Sequence, residues 1–167
     1  MAESGAVERL PAVEFDWAVV NDGVMGGLSR SAVAERDGLL QFRGVLSLEN
    51  NGGFASIRSR GLAGLDLAGS GALQLRVRGD GRRYQLRAYG SARYRGREVA
   101  YVAEFDAPAD VWHEVSIDIG SMQPRFRGMA LEGPALEASD INGLGLLIAD
   151  KLEGPFALEV DWIGRGP

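Results

Sequence analysis

Apolar and polar residues alternate with a period of two along much of this chain. Leu73, Leu75 and Val77 interleave with Gln74, Arg76 and Arg78. Tyr101, Ala103 and Phe105 repeat the pattern, as do Trp112, Glu114 and Ser116 against His113, Val115 and Ile117. Such alternation predicts strands with one buried and one exposed face. "SAVAERDGLLQFRGVLSL" reads as two strands around an Asp37-Gly38 turn, and "ALQLRVRGDGRRYQLRAYG" as a second hairpin around Gly79-Asp80-Gly81, because tight hairpins need residues that accept positive φ. "GLGLLIAD" is apolar on both faces and predicts a strand inside a sheet. "FALEVDWIG" places Phe156, Leu158, Val160 and Trp162 on one side. The one helical stretch expected is a turn within "ALEASDI". Short strands punctuated by Gly, Asp and Asn predict an all-β sandwich or barrel.

The chain has 167 residues, which predicts one domain over 1–167, since a domain takes roughly 100–200 residues. It has no cysteine, so disulfides, thiolate metal sites and cysteine nucleophiles are excluded. No apolar run reaches the roughly 20 residues of a membrane helix. The opening "MAESGAVERLPAVEFDW" has neither the apolar core of a signal peptide nor the acid-poor character of a transit peptide. A cytoplasmic location, of bacterial type, is expected. The net charge of -5 argues against a general nucleic-acid binder, so no nucleic acid is expected as a partner.

Catalytic chemistry has little to stand on in this sequence. His113 is the single histidine, so a two-histidine metal site is impossible, and its apolar neighbours suggest a buried or half-buried structural role. "GVMGGLSRS" lacks the lysine and the following helix of a phosphate loop. It is not a nucleophile elbow either, because Ser31 stands where a glycine belongs. Glu14, Asp16, Glu159 and Asp161 offer hard oxygen ligands, but no calcium-loop spacing joins them. No enzyme activity, cofactor or metal is expected.

The middle of the chain is richer. "RVRGDGRRYQLRAYGSARYRGREVAYV" holds all four tyrosines and eight arginines. Arg76 and Arg78 share one strand face; Gln85, Arg87 and Tyr89 share another. If the two faces coincide, guanidinium forks stand beside aromatic rings, a surface able to bind carboxylates or stack on sugars. Arg58, Arg76, Arg78, Arg87, Tyr89 and Tyr94 are the candidate recognition face. The plain alternative is a solvated face whose arginines pair with Glu98, Glu104 or Asp106.

Two Gly-rich loops complete the candidate list. "VNDGVMGGLS" contributes Asn21, Asp22 and Met25, and "ENNGGF" contributes Asn50 and Asn51. One reading makes them turns in which Asn21 or Asp22 caps backbone amides and Met25 plugs the space beneath. The other makes them part of a recognition surface.

"W-x-x-V-N-D-G-V-M-G-G-L-S", "F-R-G-V-L-S-L-E-N-N-G-G-F-A-S-I-R" and the closing "G-L-G-L-L-I-A-D-K-L-E-G-P-F-A-L-E-V-D-W-I" follow one another in this order. Together they resemble the complex I intermediate-associated protein family over residues 15–163. The resemblance implies a galactose-binding-domain-like jelly-roll β-sandwich. It also implies a non-enzymatic, chaperone-like assembly factor, with protein subunits of respiratory complex I or a related membrane complex as partners. A carbohydrate- or small-ligand-binding module on the same fold is the alternative, with Tyr89, Tyr94 and Trp112 as its ring-bearing candidates.

Overall fold

The computed structural model describes residues 8–21, 27–127 and 129–167, and for Asn51 the backbone. Among these residues there are thirteen strands and single 3-10 turns, with no α-helix. Two sheets face each other. The first runs β3 (Arg30–Arg36), β4 (Leu39–Leu46), β13 (Gly154–Gly166), β6 (Ala72–Arg78), β9 (Trp112–Asp118), with β1 (Arg9–Pro11) also paired to β13. The second runs β11 (Met129–Ala130), β10 (Gln123–Phe126), β8 (Arg97–Asp106), β7 (Arg83–Tyr94), β12 (Gly143–Ile148), β5 (Ala55–Ser59), β2 (Trp17–Val19). The pairings are antiparallel, and strands far apart in sequence lie side by side, as in a jelly roll.

The alternation becomes the core. Phe42, Leu73, Leu75, Val77 and Leu158 from the first sheet meet Ile57, Tyr84, Leu86, Leu144 and Leu146 from the second, all fully buried. Each such side chain contributes about 1.5–3 kcal/mol on leaving water. Phe42 and Phe156 meet edge to face at 5.0 Å between ring centroids. The β3–β4 hairpin forms as expected, with Asp37 at φ 54° and Gly38 at φ 78°. "GLGLLI" lies between β5 and β7, buried throughout, and the short turn falls at Ala138–Asp140.

Three expectations are corrected. The Gly79-Asp80-Gly81 segment does not close a hairpin: β6 pairs with β9 and β13, whereas β7 pairs with β8 and β12. The chain crosses between sheets here. Asp80 fixes the crossing by accepting hydrogen bonds from Arg82 N at 3.1 Å, Tyr84 Oη at 3.0 Å and Ala157 N at 2.7 Å. Gly-Asp-Gly suits a bend between sheets as well as a hairpin, and the buried Val77 and Tyr84 decide between them.

Trp162 also leaves the expected row. A bulge between Val160 and Ile163 sets two residues of β13 opposite Arg76, so Ile163 takes the core position. Trp162 lies outside the core cluster under the Arg9 guanidinium, 3.6 Å from the ring centroid. His113, finally, is exposed. It stands near the start of β9, an edge strand opposite Val77, where no further strand of the described residues covers it.

Candidate functional site

The crossing at Asp80 divides the expected recognition face in two. Arg76 and Arg78 belong to the first sheet, whereas Arg58, Arg87 and Tyr89 belong to the second. Tyr94 falls in the opposite strand phase to Tyr89. Half-buried, it packs against the core and lies 5.3 Å from the Phe126 ring.

On the first sheet Arg76 and Arg78 are satisfied internally. Arg76 Nη1 donates to Asp161 at 2.9 Å, and Arg78 Nε donates to Glu159 at 2.7 Å. Gln41 donates to the other oxygen of Glu159 at 3.2 Å. Both guanidiniums also pack on Trp112, at 4.4 and 4.7 Å from its ring centroid.

The second sheet differs, and its geometry follows from register. Gly145 of β12 pairs with Arg58 of β5 on one side and Arg87 of β7 on the other. The two arginines therefore share a row with a residue lacking a side chain between them. A Cβ at Gly145 would meet the hydroxyl and Cε2 of Tyr89 at 3.3 Å, so the tip of that ring reaches over the glycine. Arg58 stacks on the same ring with its guanidinium carbon 3.8 Å from the centroid. Both ends of the Arg58 fork bond to Glu98, one at 2.7 Å. These hydrogen bonds hold the guanidinium above its ordinary pKa against the opposing effect of burial.

Arg87 is held in another way. Its Nε and Nη2 donate to Gln85 Oε1 at 3.1 and 3.0 Å. Among the described residues no carboxylate pairs with it. Val102 stands across the ladder on β8. The signal for this arrangement was present in the sequence as Gly143 and Gly145 two apart in an apolar strand, yet nothing local said which arginines would flank them. An open recess of about 310 Å³ lies beside Arg58, lined by Ala18, Val20, Ser59, Arg60, Gly61 and Asn142.

Asn21 ties the end of β2 to β3 and β5. Asn21 Oδ1 accepts from Ser31 Oγ at 2.8 Å and from Ser56 N at 3.1 Å, and Ser56 Oγ donates to the Val20 carbonyl. Ser29 Oγ accepts from Ser47 N at 2.9 Å, and Glu153 accepts from Leu48 N at 3.0 Å. Three segments distant in sequence are thereby tied together. Asn50 adopts φ 55° in its turn. Asp22 and Met25 lie outside the described residues, as does the side chain of Asn51. No group of three or more metal-ligating side chains occurs among the described residues.

These two sheets make the chain a β-sandwich of the class found in carbohydrate-binding modules. The family 11 carbohydrate-binding module of a Clostridium thermocellum cellulosomal cellulase superposes with a TM-score of 0.68 at 14% identity, over 98% of this chain and 97% of that one. A family 30 carbohydrate-binding module gives 0.53 at 14% identity, over 86% and 80%. In sequence the kinship is of another kind. The profile of the family described as Complex I intermediate-associated protein 30 (CIA30) matches residues 9–160, and the chain belongs to that family. The mitochondrial Complex I intermediate-associated protein 30 of Mus musculus is 30% identical over 172 residues. That match covers 89% of this chain, which spans about half (51%) of the mouse protein's length.

Proposed function

We propose that this protein is a non-catalytic, chaperone-like assembly factor that binds a protein subunit of respiratory complex I or of a related membrane complex. We place it in the cytoplasm, and its contact surface on the outer face of the second sheet. The observation that carries this reading is Arg87, whose guanidinium has no carboxylate partner among the described residues while Arg58, Arg76 and Arg78 are internally paired. Family membership supplies the partner class. A charged contact of modest area binds transiently, as a factor that must leave the finished complex requires.

The test is affinity capture from detergent-solubilised membranes, with Arg87→Ala beside the wild type. Respiratory-complex subunits should be enriched on the wild type and reduced on the variant. A wild-type capture without any respiratory subunit would remove the reading.

The fold's likeness to sugar-binding modules favours a second reading, a carbohydrate-binding protein. Stacking on a sugar needs an open aromatic face. Tyr89, the ring on this surface, already carries Arg58. A glycan array separates the two readings.

A further inference from the structure

Resting on the assembly-factor reading, and naming the chemistry of its partner, a more specific inference is available. We propose that Arg87 binds the side-chain carboxylate of an aspartate or glutamate in an acidic partner segment, through the Nη1–Nη2 edge of its guanidinium.

A guanidinium has five N–H donors in a rigid fork and accepts nothing. Gln85 Oε1 takes one donor from Nε and one from Nη2 of Arg87. Among the described residues nothing takes the edge formed by Nη1 and the second Nη2 hydrogen, and that edge matches the two oxygens of a carboxylate. Gln85 is neutral, so it orients the fork without cancelling the charge. This is preorganisation: less rotamer freedom is lost when the ligand arrives.

Arg58, Arg76 and Arg78 each have an acid of their own, Glu98, Asp161 and Glu159 in turn. Arg83 has two, Glu104 and Asp106. The acid nearest in the ladder to Arg87 is Glu104, opposite Gln85, and it is turned to Arg83. On the other flank Gly145 presents no side chain.

One free fork balances one negative charge, which fits a carboxylate better than a phosphate dianion. An acidic saccharide would share the carboxylate but stack its ring on an aromatic, and Arg58 covers Tyr89. A peptide acid needs no such ring. The chain's net charge of -5 opposes an acidic partner at long range, so recognition falls to this local fork rather than to steering.

The test titrates the full chain with acetyl-Ala-Glu-Ala-amide while following arginine Nε–Hε resonances by NMR. Arms with the Gln analogue of that peptide, a glucuronate disaccharide and a mixed-linked β-glucan tetrasaccharide run beside it. The Arg87 resonance should shift saturably with the Glu peptide, and the Gln analogue should bind roughly tenfold more weakly. Arg87→Lys and Gln85→Leu should weaken binding of the Glu peptide, while Arg36→Gln, exposed on the other sheet, should not. Equal binding of the Gln analogue, no saturable shift, a shift centred on Arg58, or tighter binding of either saccharide would overturn the proposal. If Arg87→Lys and Gln85→Leu still capture respiratory subunits as the wild type does, the carboxylate site falls and the assembly reading stands. Peptide binding as expected with no respiratory subunit captured by the wild type gives the reverse.

Discussion

Arg82 and Asp150 form the most enclosed ion pair among the described residues, with side chains 12% and 9% exposed. Two parallel bonds join them, Nε to Oδ2 at 2.8 Å and Nη2 to Oδ1 at 2.6 Å. The same guanidinium donates to the carbonyls of Leu152, Gly154 and Pro155. Arg82 thus closes the "ADKLEGP" connection between β12 and β13 against the sheet crossing at Asp80. Burial alone would push the Asp150 carboxyl up, but hydrogen bonds from Arg82 and the Leu152 amide, with the guanidinium's charge, outweigh it and hold the pKa low.

A depressed folded-state pKa stabilises the fold fully above the unfolded carboxyl value of about 3.9. That contribution is lost as pH falls through the lower folded value. Asp150→Asn should cost about 3 kcal/mol at neutral pH, because it leaves Arg82 buried without its counter-charge. It should also flatten the fall of stability below about pH 4. Urea midpoints measured across this range check both effects, and an unchanged acid slope in the variant would contradict the assignment.

Gly44 should tolerate no side chain. Its Cβ would stand 1.9 Å from the Arg30 carbonyl oxygen and 2.7 Å from Ser31 Cα, both backbone atoms of the paired strand. Gly44→Ala must therefore part β3 from β4, at a cost of about 3 kcal/mol or more. Thermal unfolding of the variant reads it directly.

Ser59 supplies one oxygen to a place the sheet ladder leaves open. Buried at 2% exposure, its hydroxyl accepts from the Leu144 amide and donates to the Gly61 carbonyl, each at 2.9 Å. Ser59→Ala strands that amide and should destabilise the protein by about 1–3 kcal/mol. Hydrogen exchange at the Leu144 amide should accelerate ahead of its neighbours in β12.

Arg58 and Glu98 should be coupled, though modestly, since their side chains are 36% and 30% exposed. A double-mutant cycle to alanine should return about 0.5–1 kcal/mol. Adding Tyr89→Phe to both arms should leave that figure unchanged, because the ring packs against the guanidinium without bonding to it.

The strand phases were legible in the sequence because burial has a period of two in any sheet. Leu73, Leu75 and Val77 point inward, and Gln85, Arg87 and Tyr89 share a face, as their spacing required. Two of the three departures, at Gly79–Gly81 and at Trp162, share one cause. A sheet crossing and a bulge are each selected by partners far away in sequence: Ala157 at the crossing, Leu75 and Val77 at the bulge.

By itself the sequence determined the class of fold, the family and the residue types available for recognition, since these rest on local periodicity and on distinctive short blocks. Tertiary structure alone decided which charges remained available. Whether an arginine finds an acid depends on the residue across the ladder: Asp161 beside Arg76, Glu159 beside Arg78, but Val102 and Gly145 on either side of Arg87. Those neighbours are fixed by the pairing of strands from distant parts of the chain, and no local pattern encodes it.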